Sequence, residues 1–419
     1  MTDRFTATYR IETPASVREA ADAMAGEQSA STFVDVPGES EELQRRHGAD
    51  VVDVTELGTT AEPTLPGVDP GSEEASEYTR AEVRIAYPIE NVGVSVPQLR
   101  TTVAGNVFEM QPLSGIRLLD VDVPDVYGAE CPTPQFGVEG TRELIGVHDR
   151  PIVGTIIKPS VGLSPDETAS LVETLVEAGV DFIKDDELIA DPPYSRFEDR
   201  VEAVMSVIDD HAEETGKRVM YAFNVTGSVE EMRRRHDVVA EAGGTCVMVS
   251  LNSVGLAGVL ALRRHSDLAI HGHRNGWGAL SRCPQLGFEY TAYQKLWRLA
   301  GVDHLHVNGI RNKFTESDES VVASARAVQR PIPGDDGILP VFSSGQWADQ
   351  AHDTYAALGN VDLMYLAGGG IMGHPDGPAG GVDALKQGWE AAMAGVPLAE
   401  YAEDHEALRR SMEAFGTDE

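Results

Sequence analysis

From Pro151 onward the chain repeats one pattern: a short apolar run, a polar or glycine-rich end, then a helix-like stretch. The runs begin near Ile152, Val180, Val219, Cys246, Leu268, Leu305, Leu339 and Leu363. A strand that must pair in parallel with the next needs a crossover, and a helix is the usual one. Eight such units over about 270 residues predict a (β/α)8 TIM barrel. A doubly wound open sheet is the alternative. It requires a glycine fingerprint in the first turn, and Lys158-Pro159-Ser160-Val161-Gly162 does not supply one. Two of the helices carry start signals. Ser164-Pro165-Asp166-Glu167 places a cap, a first-turn proline and a returning glutamate, and Ser228 with Glu231 forms a second capping box.

In a barrel, reactive groups collect where the strands end. Here Ile152 to Pro159 delivers Lys158, and the next run ends in Lys184-Asp185-Asp186-Glu187. The third ends in Asn224. The fifth ends in His271-Gly272-His273-Arg274-Asn275-Gly276, and the sixth in His304-Leu305-His306-Val307-Asn308-Gly309. The seventh ends in Ser343-Ser344-Gly345 and the eighth in Gly368-Gly369-Gly370. Polar and glycine residues recur after apolar runs of similar length, which chance would scatter.

The acidic quartet is the sharpest of these ends. Burying its charges unpaired would cost several kcal/mol each, so it is expected at a strand end, facing solvent, a metal or a substrate. Alternation places Phe182, Lys184 and Asp186 on one face, with Glu187 joining them only as the strand stops. Asp186 and Glu187 are hard oxygen donors suited to Mg2+. A protonated lysine repels a divalent cation, so Lys184 either pairs with the carboxylates or is converted to an anion. A surface salt-bridge network is the competing reading. Lys158 suits proton transfer if desolvated, or else a packed stem with its head in water. His273, Arg274 and His306 offer donors for a phosphate or an enolate oxygen. Gly368, Gly369 and Gly370 offer bare backbone N–H groups in the loop where barrels commonly hold phosphate.

Residues 1–140 read as a separate mixed α/β domain ahead of the barrel at 141–419. Phe5 to Ile11, Ser31 to Val36, Ala81 to Ala86 and Gly115 to Val123 are its strand candidates, Pro14 to Ala25 a helix, and Leu57 to Glu77 a surface loop. The formal net charge is −35, and Lys158, Lys184, Lys217, Lys295, Lys313 and Lys386 are the only lysines. So much acid with so little lysine looks like halophilic adaptation, in which molar salt screens the self-repulsion; an ordinary acidic bacterial protein is the competing reading. Nucleic acid is excluded as a partner for want of a basic face. No apolar run approaches a membrane span. Cys131, Cys246 and Cys283 show neither zinc spacing nor a disulfide framework. A cytoplasmic location is expected.

Together the motifs resemble the large-chain superfamily of ribulose bisphosphate carboxylase/oxygenase (RuBisCO), from about Glu27 to His374. Gly154-Thr155-Ile156-Ile157-Lys158-Pro159 is similar to its strand-one signature and Phe182-Ile183-Lys184-Asp185-Asp186-Glu187 to its activation motif. The resemblance implies a ferredoxin-like α+β domain followed by the barrel. It also implies a homodimer in which Glu27, Thr32 and Asn106 complete the partner's substrate site. Lys184 would carry CO2 as a carbamate and bind Mg2+ with Asp186 and Glu187. Lys158 would be the acid–base lysine, His273 a further catalytic histidine and Lys313 the mobile-loop lysine. Arg274, His306, Ser344 and Gly345 would contact substrate and phosphate, and Gly368 and Gly369 the other phosphate end.

The departures fall around the substrate. The carboxylases have lysine at Ser160, glycine at Gln346, tryptophan at Phe33 and histidine at Trp277, and they read Leu-Glu-Gly where Phe314-Thr315-Glu316 stands. That pattern resembles the RuBisCO-like proteins outside the methionine-salvage enolases. The implied activity is Mg2+-dependent enolisation of a phosphorylated ketose or keto-acid sugar. Its outcome would be isomerisation, as for 5-methylthioribulose 1-phosphate, or carbon–carbon cleavage, as for 3-oxo-isoapionate 4-phosphate. Ribulose bisphosphate carboxylation, suggested by Lys313, and a non-catalytic regulatory role are the alternatives.

Overall fold

The computed structural model describes residues 3–30, 38–68 and 77–416. Among them the strands are β1 (Arg4–Thr13), β2 (Asp50–Thr60), β3 (Tyr78–Pro88), β4 (Gly115–Asp122), β5 (Ile152–Ile156), β6 (Phe182–Lys184), β7 (Met220–Asn224), β8 (Cys246–Ser250), β9 (Ala269–His273), β10 (Leu286–Phe288), β11 (His304–His306), β12 (Leu339–Phe342) and β13 (Met364–Leu366). They form two compact units. One comprises Met1–Thr133, Gly276–Ala300 and Ile332–Asp335; the other comprises Pro134–Asn275, Gly301–Pro331 and Asp336–Glu419.

The first unit is built on a five-stranded sheet of order β10-β4-β1-β3-β2. Strands β4, β1, β3 and β2 are antiparallel neighbours, the ferredoxin-like order, and β10 adds to β4 in parallel. Strand β1 alternates as expected: Phe5, Ala7, Tyr9 and Ile11 are buried and the residues between them are not. The expected helix runs Val17–Glu27, capped by Ser16. Strand β2 corrects the loop expected from Leu57, because its first residues continue as strand to Thr60. Its side chains are exposed or half-exposed on both faces, so this edge strand carries no apolar alternation to read. The strand expected at Ser31 to Val36 lies outside the described residues. Arg117 fastens the Gly276–Ala300 excursion within this unit, donating to Glu289 and to the carbonyls of Ser281, Cys283 and Leu286.

The second unit is a closed, all-parallel barrel of order β11-β12-β13-β5-β6-β7-β8-β9. All eight expected strands are present. Its interior is filled by Ile152, Phe182, Met220, Ala222, Cys246, Met248, Leu339, Val341, Met364 and Leu366. Gly154 lets β5 approach its neighbours closely. A Cβ there would stand 2.5 Å from a Leu366 methyl and 2.7 Å from the Phe182 carbonyl oxygen. Both anticipated capping boxes form, at Ser164/Glu167 and Ser228/Glu231. At the strand beginnings, buried carboxylates tie the barrel together. Asp181 pairs with Arg150 and Lys217, and Asp303 with Arg263 and the Gln135 and Phe136 amides.

Candidate active site

Strand β6 ends at Lys184, and the pleat splits the residues around that end. Lys184 and Asp186 face inward at the barrel mouth; Asp185 turns the other way. Asp185 accepts from the Tyr221 hydroxyl at 2.7 Å, the Asn224 amide at 2.9 Å and Arg200 at 3.2 Å, with both Asp185 and Arg200 buried. The expectation that the whole quartet faces solvent, metal or substrate is therefore corrected. Asp185 is structural, because an arginine from the helix Phe197–Thr215 meets it behind the strand.

The inward residues form a compact charged cluster. Lys184 is 1% exposed; its Nζ donates to the Asp185 carbonyl at 2.9 Å and lies 3.5 Å from Glu187 Oε2. Burial holds its ammonium below the usual lysine range, against the pull of Glu187 and Asp186. Strand β5 stops at Ile156, short of the run expected to Pro159, so Lys158 stands on the loop beyond it. From there Lys158 Nζ donates to Asp186 Oδ2 at 2.6 Å and to Ser160 Oγ at 2.7 Å. The serine that replaces a second lysine thus steadies the first. Asn224, at the end of β7, donates to the Asp186 and Glu187 carbonyls and fixes the turn that presents both carboxylates.

His273, ending β9, places Nε2 3.5 Å from Glu187 Oε2. Its Nδ1 faces the Asn275 amide at 3.2 Å and so accepts, which leaves the proton on Nε2. Burial, then Lys184, pushes its pKa down to about 4, so the ring is neutral near pH 7. Burial raises the Glu187 carboxyl, but His273 and Lys184 outweigh it and the net shift is downward. The His306 ring packs tilted against His273 with centroids 4.4 Å apart; its ring nitrogens meet His271 at 2.8 Å and Ser343 Oγ at 3.2 Å.

Farther round the mouth, Arg274, Asn308 and Ser344 share one network. Arg274 donates to Glu316 Oε2 at 2.7 Å, as does Asn308 at 2.6 Å, while Ser344 Oγ donates to Asn308 Oδ1 at 2.8 Å. Ser344 takes a left-handed φ of 73°, unusual for a side chain larger than glycine. Its carbonyl accepts from the Lys313 amide at 3.1 Å, and Lys313 packs over Gly345. The Lys313 ammonium lies over the exposed Phe314 ring, 5.4 Å from its centroid, and is not drawn into the charged cluster. On the other side a Cβ at Gly368 would stand 3.7 Å from Lys158 Cε, and one at Gly369 would meet open space.

Sequence reasoning missed Glu316. Its only signal was a glutamate where the carboxylases read glycine. It also left Gln346 without a role. That side chain is buried, bonded to the Ile310 carbonyl and the Tyr365 hydroxyl, and fills the space beside bare Gly309. Trp277 serves packing, its ring 4.6 Å from Tyr293. Glu27 and Asn106 are exposed residues of the first unit, and Thr32 and Phe33 lie outside the described residues.

Asp186 and Glu187 supply two hard oxygens for a metal. The only group of three native donors within reach of one ion, among the described residues, is His236, Asp237 and His265, elsewhere on the barrel. A metal held by the inward set would need a further donor, and a carbamate on buried Lys184 would fit there.

Residues 2–127 match the N-terminal domain of the ribulose bisphosphate carboxylase large chain and residues 137–415 its catalytic domain. A 3-oxo-isoapionate-4-phosphate transcarboxylase/hydrolase of Xanthobacter autotrophicus is 52% identical over 98% of this chain and 99% of its own length. A 3-oxo-isoapionate-4-phosphate decarboxylase of Rhizobium rhizogenes is 48% identical over 98% of each chain. The crystal structure of a RuBisCO-like protein from Burkholderia fungorum superposes with a TM-score of 0.92 at 45% identity, covering 99% of this chain and 100% of that one. The chain belongs to the RuBisCO large-chain family.

Proposed function

We propose that this protein is a RuBisCO-like enzyme that cleaves the carboxylate carbon from a branched 3-oxo sugar acid carrying a phosphate, of the 3-oxo-isoapionate 4-phosphate type. The observation that carries the reading is the inward cluster of Lys158, Lys184, Asp186, Glu187 and His273, joined to a substrate rim that departs from the carboxylases at Ser160, Glu316 and Gln346. The 52% and 48% identities favour this substrate over 5-methylthioribulose 1-phosphate.

Lys184 would react with CO2 as its neutral amine, losing a proton and gaining a carboxylate; burial, which disfavours its ammonium, favours that step. The carbamate, Asp186 and Glu187 would then hold Mg2+. Bound there, Mg2+ would polarise the substrate carbonyl and an adjoining oxygen. A 3-oxo acid has its carbonyl two carbons from the carboxylate. The bond between the carboxylate and its neighbouring carbon can therefore break with its electron pair passing into an enolate. Lys158, held by Asp186 and Ser160, stands ready to deliver the proton that quenches the carbanion. Neutral His273, with its proton on Nε2, can donate to a developing oxyanion. Antiparallel pairing of two chains, with Glu27, Thr32 and Asn106 completing the partner's site, belongs to this proposal, as does function at high salt.

Incubation with synthetic 3-oxo-isoapionate 4-phosphate, Mg2+ and bicarbonate, followed by 13C NMR, tests it. Loss of the carboxylate signal in wild type, abolished in Lys184→Met, is expected. Inert 3-oxo acid together with formation of 3-phosphoglycerate from ribulose bisphosphate would replace this reading by carboxylation.

A further inference from the structure

One carboxylate at the barrel mouth has no catalytic task. Glu316 lies on the loop after β11, and its side chain is 13% exposed beside an Arg274 side chain that is 7% exposed. Arg274 and Asn308 both donate to its Oε2, at 2.7 and 2.6 Å, and Ser320 donates to its Oε1 at 2.9 Å. Asn312 donates to its backbone carbonyl, which fixes the loop locally. The carboxylate thus occupies a built set of donors suited to an anion: one guanidinium, one amide, one hydroxyl. Ser344 Oγ in turn donates to Asn308 Oδ1.

These contacts set the charge balance on this side of the mouth. Arg274 is its buried cation, and Glu316 cancels it at contact distance. A phosphate dianion brought to the same donors would have to expel a nearly dry carboxylate or lie against it. Like charges a few ångströms apart, away from bulk water, repel each other with little screening. A hydroxyl-bearing end meets no such barrier, because Glu316 and Asn308 can accept from it.

Resting on the proposed reading of the site, we infer that Glu316 is a specificity-determining residue: it occupies the anion site at Arg274, so the enzyme takes substrates with a single phosphate, held on the Lys158–Gly368 side, and rejects bisphosphates. Glu316 acts through Arg274 and touches no reacting atom. A sugar acid carrying one phosphate satisfies this rule; ribulose 1,5-bisphosphate does not.

The test compares inhibition constants of ribulose 1,5-bisphosphate and ribulose 5-phosphate against turnover of 3-oxo-isoapionate 4-phosphate, at one fixed KCl concentration. Wild type should bind the bisphosphate no more tightly than the monophosphate. Glu316→Gln keeps shape and removes charge. It should tighten the bisphosphate at least about tenfold, or 1.4 kcal/mol, and change the monophosphate by less than about threefold. A gain of affinity for one ligand is not what a damaged loop produces. Wild type that already prefers the bisphosphate tenfold overturns the inference without any variant, and so does an unchanged ratio in both Glu316→Gln and Glu316→Gly. If wild type fails to turn over the 3-oxo acid, the proposed function falls first. The same two ligands are then compared by calorimetry with Mg2+ present, where the expected ratios still decide the role of Glu316.

Discussion

Asp185→Ala should cost the protein about 4 kcal/mol. In the wild type Asp185 and Arg200 are each 1% exposed and 3.2 Å apart. Removing the carboxylate leaves a buried guanidinium with neutral partners in contact, the carbonyls of Ala190 and Ser195 and the Ser195 hydroxyl. Breaking one side of a buried pair typically costs 3–5 kcal/mol. The Tyr221 hydroxyl and Asn224 amide lose their acceptor as well, but those losses share one rearrangement and do not simply add. Against a total stability on the order of 5–15 kcal/mol, the change is large. Urea unfolding at constant molar KCl measures it, since urea leaves ionic strength unchanged. Because the pair is dry, raising KCl should hardly alter the difference, whereas an exposed pair such as Arg18–Asp22 would already be screened. Asp185→Ala combined with Arg200→Met should recover much of the loss, since no charge is then stranded. A single-variant cost under about 1 kcal/mol, or a double variant worse than the sum of its parts, would refute the assignment of Asp185 to structure.

Lys158→Met should lower turnover by at least about a hundredfold while leaving the circular-dichroism spectrum intact; a variant that still exchanges solvent deuterium into product removes Lys158 from proton transfer. For Asp181, burial alone would raise the carboxyl, but Arg150 and Lys217 bring it below its ordinary value. Its stabilisation is therefore complete above the unfolded value of about 3.9 and is lost as pH falls through the lower, folded one. Asp181→Asn should flatten that acid limb in pH-dependent unfolding, and an unaltered limb would contradict the assignment. Gly309→Ala would put a Cβ 1.9 Å from Gln346 Cδ. It should destabilise by about 1–3 kcal/mol and be relieved by Gln346→Gly, with thermal melting as the readout.

How much of the molecule was legible in the chain depended on whether a signal was periodic or conformational. The eight barrel strands were readable because each is buried on both faces and ends abruptly in polar residues, as at Phe182-Ile183-Lys184. Strand β2 was not, since an exposed edge strand needs no apolar side, and β10 is only three residues long. Alternation along β6 correctly put Lys184 and Asp186 together. It could not reveal that Arg200, from the following helix, awaits Asp185. Glu316 was hidden for a different reason. Its meeting with Arg274 spans 42 residues and depends on how an irregular loop folds back, which no pattern along the chain encodes.

The formal charges at the barrel mouth connect these observations to the cofactor. Lys158 and Lys184 stand against Asp186 and Glu187, so the inward cluster is neutral as it stands and exerts little pull on a cation. Adding CO2 to Lys184 would turn one of its two cations into an anion. The cluster would then hold two negative charges in excess, the amount a divalent ion neutralises, with three oxygens in place of two to hold it. Binding of CO2 and of Mg2+ should therefore be mutually dependent: titrated separately each is weak, and titrated together each strengthens the other by the same factor. Calorimetric Mg2+ titrations with and without bicarbonate read that coupling. Equal Mg2+ affinity in both would mean that Lys184 stays an amine and that the cation, if bound, is held by the two carboxylates alone.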